Sequence, residues 1–514
     1  MVLNWLWAGA ASTIVVTILT ITALLLVLRS GRSRHKLPPG PIQWPIMGSL
    51  LSVGFEHRYR TFAKLAKSYG PLLYVRLGMV DTIVVSSPEL AKDVLKIHDA
   101  QWSSRPYCAA GKYIGFDFHS LDFAPNGPHW RHLRKLCVAE LFSPTRLNMH
   151  GGIRREEVLH MVGWLAEACQ TGEAINVRNV CDNVIGNIIC RMLFGKNYYS
   201  ANDPVSQEMQ SFMADVREAM VLIGALALAD IIPALDRFDL QGYNKRFKTI
   251  SQRLERMYKL IIEDHEQGKK NGQTDKHTKD FIDVLLSLEG DSKLSEKSLM
   301  GLMTDVLLFG IDITPTAIEW VMTELIRNPQ VLRKAQKEID SVVGKERLVE
   351  ESDLQNLPYL QAIVKETLRL HPPVPVTDPH YNEVPVELGG YQIPPGFVMF
   401  VNIWALGRDE TLWKHPLEFL PERFLESEIN VHGNHFQLLP FSSGRRKCPA
   451  AGMALLKTHH TVAVLIHAFD WAPPQEQNPQ DINIDEGVGV IAFKKIPLLA
   501  NAKSRLPEEV IKAR

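Results

Sequence analysis

From Leu6 to Leu28 the chain reads LWAGAASTIVVTILTITALLLVL, with no charged residue. A run of this kind cannot stay in water, since each large apolar side chain left exposed forgoes about 1.5–3 kcal/mol of burial. Its length is close to the ~20 residues that cross a bilayer as an α-helix. A secretory signal would begin with basic residues, have a shorter apolar region and end at a small-residue cleavage site. Here the basic cluster Arg29, Arg32, Arg34 and Lys36 follows the apolar run. That order favours a retained anchor over a cleaved signal or a buried core helix. Because lysine and arginine stay on the cytoplasmic side, the short start is expected to face the lumen and everything after Arg29 the cytosol.

The stretch KLPPGP, Lys36 to Pro41, forbids helix and gives a stiff extended connector. The organisation expected is an anchor over residues 1–28, a basic and proline-rich connector over 29–41, and a globular body over 42–514. No repeat and no long low-complexity linker divides that body. Lysine plus arginine and aspartate plus glutamate both total 57, so the summed field gives no reason to expect nucleic acid as a partner. The six cysteines, Cys108, Cys137, Cys169, Cys181, Cys190 and Cys448, have neither CxxC spacing nor the density of a disulfide scaffold. Zinc and secretion are weakly supported, and a reducing compartment is indicated. Cys137 in RKLCVAELF and Cys190 in NIICRMLF read as small buried hydrophobes.

Strand signals are few. Leu72 to Ser87 reads as a hairpin turning at Gly78 to Asp81, and VELGGYQIP with FVMFVN reads as another. Helical periodicity dominates elsewhere: PELAKDVLKIH, SLMGLMTDVLLFG into TPTAIEWVMTELIRN, NPQVLRKAQKEIDSVVG, and LPYLQAIVKETLRLH closed by Pro372 and Pro373. The expected fold is mainly α with a minor β-sheet.

Cys448 departs from the other thiols. It stands in PFSSGRRKCPAAG, between a glycine- and arginine-bearing turn and an apolar stretch that reads as a helix. First-turn N–H groups and the positive helix end favour its thiolate, Arg446 adds positive charge, and Gly444 permits a sharp turn. Such a thiolate is suited to be a nucleophile or a metal ligand. Glu366 and Arg369 lie three apart on one helical face, as a solvated ion pair does, and Arg423 in FLPERF is available to complete a buried network with them. Trp130 and Arg134, four apart in NGPHWRHLRKLC, project an indole N–H and a guanidinium from one stripe, either as an anion grip or as a half-buried tryptophan beside a surface arginine.

With Phe441, Gly444, Arg446 and Cys448 in place, PFSSGRRKCPAAG resembles the haem-ligating loop of the cytochrome P450 superfamily, and ETLR and PERF resemble its two other signatures, in the right order. The similarity covers nearly the whole chain through KLPPGP, FAPNGPHWRHLRKLC, LQNLPYLQAIVKETLRLHPP and NIWALGRDETLWKHPLEFLPERF. It is to the plant microsomal branch, with the flavour of flavonoid and phenylpropanoid hydroxylases. The resemblance implies the cytochrome P450 fold behind an N-terminal transmembrane helix, and haem b (iron protoporphyrin IX) as cofactor. It makes Cys448 the axial iron ligand, sets Trp130, Arg134, His380 and Arg446 at the propionates, and puts Glu366, Arg369 and Arg423 in a buried network behind the haem loop. It also implies O2 and a small lipophilic molecule as substrates and NADPH-cytochrome P450 reductase as partner, docking near Arg445, Arg446 and Lys447. The setting is a single-pass protein of the endoplasmic reticulum membrane with a cytosolic catalytic domain. Ala450 stands where glycine is commoner, a change of one methyl.

The central helix departs further. Family members usually have a small residue, glycine, any residue, an acid and then threonine above the haem, the last two relaying protons. Aligning Gly310 and Asp312 puts Phe309 at the small position and Ile313 at the alcohol position. Isoleucine cannot donate a hydrogen bond. Thr314 lies one residue on, rotated by about 100° on a regular helix. Pro315 cannot donate to the Ile311 carbonyl and so loosens this turn. The expectation is that the loosened turn admits water or swings Thr314 toward the oxygen site, with Asp312 as proton source; Thr314 bonded to its own helix backbone is the alternative. The substrate-facing stretches implied are the loop before Trp130, Met220 to Ile231, Val374 to Thr377 and Val488 to Val490, nearly all apolar, with MVLIGALALADII readable as core or as a membrane-dipping patch. Two rivals to a monooxygenase are a haem-thiolate isomerase or dehydratase, which needs no reductase and fits the missing threonine, and a non-catalytic haem sensor.

Overall fold

The computed structural model describes residues 37–196, 205–270, 279–474 and 477–512, with Val16, Thr17 and Thr20. The anchor expected over 1–28 and most of the connector over 29–41 lie outside the described residues. The connector's last residues are extended, as prolines require, and lie against the body: the Tyr74 N–H donates to the Pro39 carbonyl at 2.9 Å.

The helices that frame the site are α1 (Pro128–Leu136), α2 (Gly151–Thr171), α3 (Val177–Phe194), α4 (Glu296–Arg327), α5 (Pro329–Val343), α6 (Pro358–Leu370) and α7 (Ala451–Ala468). Helix α4 carries the core. Ser295 caps it by accepting the Ser298 N–H, and Glu296 sits at its positive end. Pro329 at the start of α5 stops it. By length and composition α4 could cross a membrane, yet 72% of its apolar window is buried inside the protein. It is the core helix, apolar on every side because helices surround it. Gly310 lets α3 pack close, since a Cβ there would lie 3.0 Å from Ile189 Cδ1.

The strands are β1 (Leu72–Leu77), β2 (Val80–Val85), β3 (Ile175–Asn176), β4 (His380–Tyr381), β5 (Val386–Leu388), β6 (Tyr391–Ile393), β7 (Val398–Val401), β8 (Phe469–Ala472) and β9 (Leu499–Ser504). The main sheet has the order β1-β2-β7-β4; smaller sheets have the orders β3-β9-β8 and β5-β6. The expected first hairpin forms with Leu77 opposite Val80, so its turn is tighter than the sequence suggested. The second expectation is corrected. VELGGYQIP closes on itself as β5–β6, because Gly389 and Gly390 both take positive φ (56° and 79°) in a two-residue turn. FVMFVN joins the other sheet, with β7 running parallel to β2 and antiparallel to β4. The segment MVLIGALALADII is mostly core: Met220, Leu222, Ala227, Ile231 and Ile232 are buried, and Ile231 and Ile232 pack with Leu50, Leu73 and Val84, leaving Val221 exposed.

Glu366 and Arg369 on α6 are no solvated pair. Both side chains are 0% exposed. Arg369 donates to both carboxylate oxygens, at 2.7 and 2.8 Å, and reaches the Pro416 carbonyl at 2.6 Å. Arg423 Nε and the Leu420 N–H complete the set on Glu366 Oε1 at 3.0 and 2.8 Å. Replacing Glu366 by Ala strands two buried guanidiniums, so Glu366→Ala is expected to cost about 3–5 kcal/mol of stability. Denaturant unfolding of the two proteins measures it, and an unchanged midpoint would refute the network's role.

Candidate functional site: the Cys448 cavity

The loop 440–450 is shaped by a few backbone commitments. The Cys448 N–H returns to the Phe441 carbonyl at 3.0 Å, and Ser443 Oγ donates to the Gly433 carbonyl at 2.7 Å. Gly444 has φ 73°, and a Cβ on it would lie 2.2 Å from the Leu95 carbonyl oxygen, so only glycine fits that close approach. Helix α7 begins at Ala451, just beyond the thiol, as expected. The electrostatics differ from the expectation. Burial is the largest influence on Cys448 and raises its pKa; the Ala450 N–H, Arg134 and Lys447 oppose it without cancelling it. Helix end and arginine therefore do not ionise this thiol unaided, because a sulfur removed from bulk water loses more hydration than they return. A metal cation held at the sulfur would supply the missing stabilisation of the thiolate.

Cys448 opens onto an internal cavity shared with Trp130, Arg134 and Arg446. Arg446 points inward: it donates to the carbonyls of Ser103 (2.7 Å), Leu121 (3.2 Å) and Ala124 (2.6 Å), and its guanidinium lies 4.1 Å from the Trp130 ring centroid. Burial, with Arg105 nearby, brings its pKa down to about 8. It is thus not part of the outer basic face expected at Arg445, Arg446 and Lys447; Arg445, paired with Asp99, remains exposed, and Lys447 Nζ donates to the His432 carbonyl. Arg134 is no surface arginine either. Among the described residues, its guanidinium and the Trp130 indole have no hydrogen-bond partner in the protein, though both line the cavity. His380 sits on β4 with Nδ1 3.0 Å from the Trp102 carbonyl, and burial lowers its pKa to about 3. It is a neutral ring behind the cavity wall rather than among the lining residues.

Two cations at the cavity were missed by sequence reasoning. Arg105 pairs with Asp122 at 3.0 Å and Asp378 at 3.7 Å. In SSRP it carries no periodicity that would single it out. Lys457, on α7, is buried, and its amine is drawn down to about 7, by burial first, then Arg154, with the Cys448 sulfur opposing. The signal for it was present: a lone lysine inside the apolar stretch ALLKTHHTVAVLI. Cys137 is buried as expected and also lines the cavity.

Helix α4 runs without interruption through Pro315. It presents Phe309, Gly310, Ile313, Thr314 and Ala317 to the cavity. The cavity is broad enough to take in Thr314 despite the rotation from Ile313. Thr304, Thr316 and Thr323 donate to the carbonyls of Met300, Asp312 and Glu319, one turn back, whereas no such bond forms from Thr314 among the described residues. Asp312 is absent from the lining. Its Oδ1 is held by Arg178, which also donates to Asp182 at 2.8 Å and to Thr316 Oγ1 at 2.8 Å. Of the expected substrate-facing stretches, Leu121 and Asp122, Met220, Val374, Thr377 and Val490 reach the cavity, while Val488 is exposed.

This arrangement, a buried thiol and convergent guanidiniums around an apolar chamber behind a mainly helical fold, is matched by known proteins. The cytochrome P450 family profile covers residues 38–499. Cytochrome P450 CYP736A12 of Panax ginseng is 40% identical over 493 residues, covering 94% of this chain and 96% of its own. Cytochrome P450 98A2 of Glycine max is 39% identical over 98% of this chain and 99% of its own. The flavonoid 3'-monooxygenase of Arabidopsis thaliana is 37% identical over 97% and 99%. A zebrafish cytochrome P450 solved with abiraterone has the same fold, with a TM-score of 0.72 at 23% identity, over 87% of this chain and 99% of that one.

The chain belongs to the cytochrome P450 family. It is an oxidoreductase, and its cofactor is haem. The residues present fit that group: a thiol opens onto the cavity, the loop bearing it is held by a glycine no other residue replaces, and the unpartnered donors of Trp130 and Arg134 suit the two carboxylates of the porphyrin edge. Gly444→Ala forces the loop off the Leu95 carbonyl. It is expected to lower the haem-to-protein ratio of purified protein several-fold while circular dichroism stays helical; full haem content would show that the loop tolerates a Cβ.

Proposed function

We propose that this cytochrome P450 hydroxylates a small lipophilic, aromatic plant metabolite of the flavonoid or phenylpropanoid class. It consumes O2 and two electrons from NADPH, delivered by NADPH-cytochrome P450 reductase. The observation that carries the reading is the chamber wall, where Leu121, Ile189, Leu302, Val306, Phe309 and Val374 leave room for an apolar guest, and the Phe309 ring offers a face for a flat one. Relatives that are flavonoid 3'-monooxygenases, such as that of Petunia hybrida at 38% identity, support the class.

When bound, a haem held by a thiolate supplies dioxygen activation and O–O cleavage. Cys448 holds the iron; Trp130, Arg134 and Arg446, with Arg105 and His380 behind them, hold the propionate edge; Phe441 and Gly444 fix the loop. Thr314 is the inner proton donor, its hydroxyl free to turn into the cavity because it makes no helix bond. Asp312, whose side chain is 23% exposed, is the outer station. Its carboxylate is pinned by Arg178 and takes up a proton from solvent on release. Ile313 keeps water from the position where an alcohol is usual. The apolar run Leu6 to Leu28 anchors the protein in the endoplasmic reticulum membrane with this domain in the cytosol, and Arg445 and Lys447 provide the basic face for the reductase.

Incubating reductase-supplemented membranes with a panel of plant phenolics, terpenoids and fatty acids tests the reading. A phenolic product heavier by one oxygen and dependent on NADPH is expected. Product without NADPH would show an isomerase or dehydratase, and a spectral change without turnover a binder. In Thr314→Ala, product formed per NADPH consumed is expected to fall several-fold while NADPH consumption persists. Ile313→Thr is expected to keep or raise that ratio. An unchanged ratio in Thr314→Ala would remove the hydroxyl from the mechanism.

A further inference from the structure

Four cationic side chains reach the Cys448 cavity: Arg105, Arg134, Arg446 and Lys457. Arg105 has Asp122 and Asp378, Arg446 has three carbonyls, and Arg134 has the propionate edge proposed above. Lys457 has no such account. It is 3% exposed, and among the described residues it makes no hydrogen bond or ion pair. It follows Met453 by one helical turn, and Met453, Ala454 and Lys457 all line the cavity, so one face of α7 carries the amine there. A buried ammonium without a partner is costly and persists where an anion compensates it. The anionic group that favours its charge is the Cys448 sulfur.

We infer that Lys457 is a positioning cation for the haem–thiolate unit, biasing the iron toward its reduced state. The inference rests on Cys448 as the iron ligand. Going from ferric to ferrous, the iron gains one electron from the reduced flavin of a reductase, no bond breaks and no proton is taken up, so the porphyrin–thiolate unit becomes more negative by one charge. The thiolate holds a proton on the amine, and a unit charge on the order of 10 Å from the iron, in protein of effective dielectric about 20, would favour that state by roughly tenfold. Lys457 thereby eases the first electron transfer, the step that the cations at the propionate edge, already neutralised, assist less.

The test uses the haem-loaded native protein, Lys457→Met and Lys457→Arg, each brought to equilibrium with the same redox dye under dithionite titration. In Lys457→Met the ferrous-to-ferric ratio at a given dye poise is expected to fall about tenfold, which is about 59 mV for a one-electron couple. Lys457→Arg is expected to restore it. The carbon-monoxide band of the ferrous protein is expected to remain of thiolate type in all three. A ratio in Lys457→Met within twofold of native, or an equal fall in Lys457→Arg, overturns the inference. Should Lys457→Met lose haem, Lys457→Gln is compared with Lys457→Arg at the same poise, and equal ratios overturn it. A native protein without the thiolate-type band removes the ligand itself, which separates failure of the site assignment from failure of the cation's role.

Discussion

Glu366 is a carboxylate shut off from water, and the arrangement around Cys448 depends on how its charge is satisfied. Arg369 meets it from the same helix, while Arg423 and the Leu420 N–H meet it from the single 3-10 turn Pro421–Phe424 and the residue that caps it. Arg369 in turn holds the Gly407 and Pro416 carbonyls. A segment with no strand or long helix of its own is thereby tied to α6 through charge-assisted hydrogen bonds, which are directional where apolar packing is not. Residues 425–439 then carry the chain from that segment to the loop bearing Cys448.

Around the sulfur the protein assembles positive charge and keeps it out of water. Arg446 clamps the Cys448 loop to the 103–124 region through three carbonyls, and the Trp130 ring lies against its guanidinium. Asp305 on α4 holds the same region from the other side by accepting the N–H groups of Leu121 and Asp122. Among the described residues, Arg134 and the Trp130 indole have no hydrogen-bond partner. Donors placed in this way suit an anionic group such as the porphyrin edge of haem. Helix α4 divides its own polar groups similarly, turning Thr314 inward and leaving Asp312 with Arg178 behind it.

Much of this was legible in the residues. The core helix, the α6 and α7 helices and the first hairpin follow from periodicity and from proline and glycine placement, which act over a few residues. The second hairpin was misread because glycine turns announce where a strand reverses but not which sheet it joins. Arg446 was placed inward only by the family resemblance and was counted in the outer basic face as well, since a triplet of basic residues has no period to say which one turns in. Arg105 was invisible for the same reason. Lys457 interrupted an apolar helix, a local anomaly whose meaning came only from knowing which face of α7 meets the cavity.

By itself the sequence determined the one thiol set apart from the other cysteines, the helices that enclose it, the pairing of Glu366 with Arg369 and the apolar character of the chamber, because each of these is written in neighbouring residues or in the spacing of one helix turn. Only the tertiary structure decided which cations face the cavity, that burial outweighs the helix end at Cys448, and that Thr314 shares the wall with Ile313. Desolvation and charge coupling depend on what chain-distant segments bring within a few ångströms, and no local pattern encodes that distance.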